Sequence, residues 1–139
     1  MTKSYGDDDA TFQAAGGEDG LRQLVERFYF HMDNNSIFKD IRELHPESLD
    51  MAKDKLARFL CGWTGGPKLF HEKYGDINIP RVHVFFEIGE KERDDWLHCM
   101  QLALDDMNYA DDFKLYMLQQ LSIPAERIRA YSDKVYKKT

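Results

Sequence analysis

Apolar residues in this chain recur every three or four positions, in several long segments, and nowhere alternate for any length as a strand requires. Leu21, Leu24, Val25, Phe28, Tyr29 and Met32 form one such row, and the spacing predicts a helix over about 18–34. A second row, Leu49, Ala52, Leu56, Phe59, Leu60 and Trp63, predicts a helix opened by Glu47-Ser48. Trp96, Cys99, Met100, Ala103, Leu104 and Met107 predict a third helix over about 90–108, and Phe113, Met117, Leu121 and Ile128 a fourth over about 111–133. The fold class is therefore all-α.

Breakers separate these rows. Gly16-Gly17 precedes the first helix, Asn34-Asn35 ends it, and Gly65-Gly66-Pro67 stops the second. Ser36 to Leu44 reads as a short helical turn, with a break at His45-Pro46 because the residue before proline avoids helical dihedrals. Residues 68–80 read as mostly irregular, long enough to wrap a site. Residues 81–87 read as a short helix. Pro124 should kink the last helix. The stretch 1–11, with Asp7-Asp8-Asp9, is expected to be a mobile extension, leaving one domain over 12–139.

At 139 residues the chain is long enough to bury a core without disulfides. The net charge of −6 and scattered Lys and Arg argue against a nucleic-acid partner. No apolar run reaches membrane-spanning length, and the polar, acidic start is unlike a signal peptide. Cys61 and Cys99 lie on separate helices and are expected to be free thiols in a reducing cytoplasm.

Four motifs in order carry a resemblance. They are Gly16-Gly17 before a helix with Arg27-Phe28-Tyr29; Phe59-Leu60-Cys61-Gly62-Trp63-Thr64-Gly65-Gly66-Pro67; His83 followed by Phe86; and Glu92 through Met100. Together, over about 12–128, this set resembles the group II truncated haemoglobins. The resemblance implies a shortened globin fold, two helices over two, around haem b. It implies His83 as the iron ligand, with Tyr29, His45, Trp96, Ala52 and Leu56 on the gas side. Phe59 and Phe86 become haem wall, and Lys55, Tyr74 and Arg81 candidate propionate contacts. The chain departs from the family pattern at Phe85, where a proline is usual, and at Val82, where a basic residue is usual.

The side chains suit these roles. A neutral imidazole can ligate iron. A buried phenol needs a hydrogen-bond partner, and an indole N–H can only donate. His45 offers either a third donor or a cap on the following helix, and Ala52 is small enough to leave a path from solvent. The implied ligands are dioxygen, nitric oxide, carbon monoxide or peroxide. The implied activity is oxygen binding, with or without nitric oxide dioxygenase or peroxidase turnover, or else non-catalytic carriage, storage or gas sensing. No residue stands out as certainly catalytic. With no flavin or nicotinamide motif in the chain, a turnover reaction would take electrons from a separate reductase.

Overall fold

The computed structural model describes residues 4–75 and 88–136. Among these the elements are α1 (Ala10–Ala14), α2 (Gly17–Asn34), a 3-10 turn (Ser36–Phe38), α3 (Lys39–Glu43), α4 (Asp50–Trp63), α5 (Leu69–Tyr74), α6 (Glu90–Asp106) and α7 (Asp111–Tyr136). The short helix expected over 81–87, with His83, Arg81 and Phe86, lies outside the described residues.

Local chemistry explains the helix ends. Gly16 and Gly17 both take positive φ, 92° and 70°, to turn the chain into α2. Gly20 in the first turn lets the Ala15 carbonyl come so close that an added Cβ would stand 2.0 Å from its oxygen. Glu18 and Asp19 sit at the positive end of the α2 dipole. At the far end, Asn34 Nδ2 donates to the Phe30 carbonyl at 2.8 Å. Glu92 Oε1 accepts from the Gly89 N–H at 2.7 Å, which satisfies an N–H at the start of α6. The last helix runs through Pro124 without interruption.

α2 packs on both α4 and α6, α6 packs on α7, and α4 carries α5. This gives one pair, α2 and α4, over a second, α6 and α7. Leu21, Leu24, Phe28, Leu60, Met100, Leu104, Phe113 and Met117 fill the space between them and are almost completely buried. Each contributes roughly 1.5–3 kcal/mol by leaving water.

The structure refines the sequence reading in three regions. Within the stretch 68–80, expected to be mostly irregular, residues 69–74 form α5 and 76–80 lie outside the described residues; Arg58 Nη1 donates to the Leu69 carbonyl and ties the start of α5 to α4. α4 begins at Asp50, after Glu47-Ser48. Its buried face holds Ala57, Leu60 and Cys61, so two residues outside the predicted row belong to the core. Within 4–11, part of the stretch expected as an extension, two side chains meet the rest of the fold. The Tyr5 ring meets Phe113 edge-on at 5.5 Å, its hydroxyl donates to Asp112, and Thr11 is buried. The chain there crosses Gly65, whose Cβ would lie 2.0 Å from the Asp8 carbonyl oxygen.

Candidate functional site

α2 and α6 meet at Phe28. Its ring is fully buried, 4.9 Å from the Tyr29 ring and 5.0 Å from the Trp96 ring. One turn along α6 from Trp96, the Cys99 thiol donates to the Phe28 carbonyl at 3.1 Å. These contacts fix Tyr29 and Trp96 relative to each other through one aromatic wedge.

Tyr29 is 5% exposed. Its hydroxyl makes no hydrogen bond among the described residues, and neither does the Trp96 indole N–H, while no fully buried side-chain N or O atom among these residues lacks a partner. The phenol oxygen is therefore open to an acceptor supplied from elsewhere. Burial, reinforced by Cys99, pushes the Tyr29 phenol well above its ordinary range. The group is therefore a neutral O–H and can donate.

His45 stands on the other side of Tyr29, with ring centroids 5.7 Å apart at 78°. Its Nδ1 lies 2.9 Å from the Ile41 carbonyl oxygen, an atom that only accepts. The proton of the neutral ring is therefore on Nδ1, and Nε2 is an acceptor. His45 thus holds the end of the preceding helix α3. While the ring is neutral, its single N–H is directed at Ile41.

α4 supplies the wall. Ala52, Leu56, Phe59 and Trp63 recur at three or four residues and remain only partly buried. Phe59 and Trp63 stack at 29°, centroids 6.3 Å apart. A cavity of about 350 Å³ opens beside them, with Arg58, Lys68 and His71 on its polar side. An apolar ridge left partly bare along a cavity with a polar side is an environment that suits a flat, largely apolar cofactor with polar edges. On this side the residues fit haem.

The polar edge is more constrained than the sequence suggests. Lys55 is exposed, its Nζ 5.4 Å from the centre of the Tyr74 ring. Tyr74 donates its hydroxyl to Asp54 at 2.6 Å. That single O–H proton is thereby directed at Asp54. Asp54 also accepts from Lys73 at 2.8 Å and from Arg58 at 3.0 Å. Lys73 first, then Tyr74 and Arg58, hold its carboxyl well below the usual carboxylate range. Sequence reasoning missed this junction, although the i,i+4 spacing of Asp54 and Arg58 is a visible signal for part of it.

Cys61 and Cys99 are free and buried. Burial pushes the Cys99 thiol up to about 12 and the Cys61 thiol upward as well, so both are unreactive thiols. No group of three or more His, Cys, Asp or Glu positioned to hold a metal ion occurs among the described residues. No described helix is long and apolar enough to cross a membrane.

The chain matches the family model of bacterial-like globins over residues 10–129. It is 30% identical over 112 residues to the Group 2 truncated hemoglobin YjbI of Bacillus subtilis (strain 168), covering 81% of this chain and 83% of that one. Its fold is similar to that of the Group II 2-on-2 hemoglobin from the plant pathogen Agrobacterium tumefaciens, with TM-score 0.83 and 28% identity over 93% of this chain and 96% of that one. The cold-adapted truncated hemoglobin of the Antarctic marine bacterium Pseudoalteromonas haloplanktis TAC125 gives 0.81 and 30%, over 85% and 95%. The truncated oxygen-avid haemoglobin of Bacillus subtilis gives 0.76 and 29%, over 85% and 97%.

Proposed function

Since this chain belongs to the bacterial-like globins, and among them to the group II truncated haemoglobins that bind oxygen through haem, we propose that it holds haem b through His83 and receives dioxygen against Tyr29 and Trp96. Haem, when bound, supplies an iron centre that takes a diatomic gas and can change oxidation state. The chain's own residues decide how firmly that gas is kept.

The observation that carries this reading is the pair of donors flanking Phe28 without a described partner. Tyr29 stays protonated and donates to a ligand with anionic character, and Trp96 donates from the other side. Ala52 keeps the entrance short, while Leu56 and Phe59 exclude water from the wall. Lys55 lies at the exposed edge, where a propionate pairs with it. Arg81 and Phe86 are assigned to propionate and wall by family position. A solved relative described as oxygen-avid is consistent with strong ligand donors.

Nitric oxide, carbon monoxide and peroxide are further small ligands of the same pocket. Turnover as a nitric oxide dioxygenase or a peroxidase-like enzyme draws on Tyr29 and Trp96 as donors and on an external reductant. Without that reductant the protein acts as an oxygen carrier, store or sensor. The buried reduced cysteines suit a cytoplasmic setting.

Absorption spectra of the purified protein and of His83→Ala, before and after haem addition, test the ligand assignment. The parent should show an intense Soret band that shifts on adding oxygen to the reduced protein. His83→Ala should lose haem or bind it loosely, and a variant with unchanged spectrum and haem affinity would remove His83 from the account. Nitrate production from nitric oxide by the reduced, oxygenated protein, measured with a supplied reductant, separates turnover from carriage.

A further inference from the structure

α7 buries Phe113, Met117 and Leu121 against the core, yet Leu115 and Ile123 stand 59% and 47% exposed. Isolated exposed apolar residues are ordinary. These two lie on one ridge with Asp111, Gln119 and Arg127, at a constant spacing of four residues, and all five are exposed. Read along the helix, the ridge runs acid, leucine, glutamine, isoleucine, base.

That order is its own complement. Turned by 180° about Gln119, the ridge sets Leu115 opposite Ile123 and Asp111 opposite Arg127. The glutamine faces its copy, and its amide both donates and accepts. Ridges of residues four apart on two helices interdigitate at about −50°, the commonest class of helix packing. With the two ridges side by side, a two-fold axis passes between the two Gln119 side chains, and a surface that complements itself is what a two-fold interface requires.

The charges at the ends are available. Arg127 forms no ion pair among the described residues, while its neighbours Arg93 and Arg129 both engage Glu126. Asp111 is fully exposed and touches only Lys114, at 3.8 Å. Pro124 beside Ile123 lacks an N–H, so the Gln120 carbonyl has no i+4 partner within the helix.

We propose that the protein self-associates through this outer ridge of α7, two copies packing antiparallel about Gln119 with Leu115 of each against Ile123 of the other. Only four apolar side chains meet in the whole contact, so the dimer is weak, with a dissociation constant of roughly 10–500 µM. It lies on the side of α7 away from Phe28, and its formation is independent of the haem assignment.

Sedimentation velocity of the haem-loaded protein, from about 5 µM to about 1 mM, brackets that constant. The parent should shift from monomer to dimer across the range. Ile123→Glu should weaken association by at least about tenfold, because it places a charge opposite Leu115. Arg127→Asp should weaken it about threefold or more by facing Asp111 with a like charge. Adding Asp111→Arg to Arg127→Asp should restore the parent's association, since the exchanged pair is again complementary. Unchanged absorption spectra in all variants show that the fold is kept. A parent that stays monomeric throughout overturns the proposal. So does association that ignores Ile123→Glu, or a double exchange no stronger than Arg127→Asp alone.

Discussion

His45 meets Tyr29 ring to ring, 5.7 Å apart, while its own Nδ1 donates to the Ile41 carbonyl. A neutral imidazole has one N–H, so with Nδ1 donating to Ile41 the other ring nitrogen can only accept. Changing His45→Leu should therefore leave oxygen release within about twofold of the parent's rate, a small effect beside the roughly tenfold per 1.4 kcal/mol expected of a lost donor. Stopped-flow release at neutral pH checks this. Acceleration as large as that from losing Tyr29 would show that His45 donates after all.

Gly65 should tolerate no side chain. It has φ of 95°, and an added Cβ would stand 2.0 Å from the Asp8 carbonyl oxygen. Gly65→Ala should cost at least about 1–3 kcal/mol from backbone strain alone. Thermal unfolding measures it, and a melting temperature equal to the parent's would mean that residues 4–11 do not press on this turn.

Asp54 joins α2, α4 and α5 through Arg22, Arg58, Lys73 and Tyr74. Its folded carboxyl is held low, so its contribution is present above the unfolded value of about 4 and fades as pH falls through the lower folded value. Asp54→Asn should lower the melting temperature at pH 7 by roughly 2–5 °C. The gap to the parent should shrink steadily below about pH 4, as the parent's own carboxyl protonates. Melting curves of both proteins across pH test the sign; a gap that stays constant into acid would mean the carboxylate charge is not what holds the junction.

The sequence made the helices legible because each long row of apolar residues has a single period and sits between strong breakers. Tyr29 and Trp96 were legible for the same reason, since each lies on a row that must face inward. Other features depend on residues far apart in the chain. Asp54 becomes a junction only when α5 folds onto α4, and no spacing predicts Lys73 or Arg22 beside it. The hydrogen-bonding state of His45 depends on the turn that carries Ile41, which periodicity does not describe. Ala57 and Cys61 are buried because α4 rotates its Leu60 edge toward α2, leaving Leu56, Phe59 and Trp63 half-covered. The sequence row alone did not separate these two faces. His83 rests on the ordered motifs around it and lies outside the described residues.

Two donors without a partner among the described residues, Tyr29 and Trp96, are proposed to retain the bound gas. Hydrogen bonds to a ligand with anionic character contribute roughly 1.5–3 kcal/mol each, and each ~1.4 kcal/mol is a tenfold factor in rate. The most direct measurement is displacement of oxygen by carbon monoxide, followed by stopped flow, in the parent, Tyr29→Phe, Trp96→Phe and the double variant. Each single change should speed release several-fold or more. The double change should fall short of the product of the two, because both donors address one acceptor. If all three variants released oxygen at the parent's rate, the unpartnered donors at Phe28 would have no part in holding the ligand.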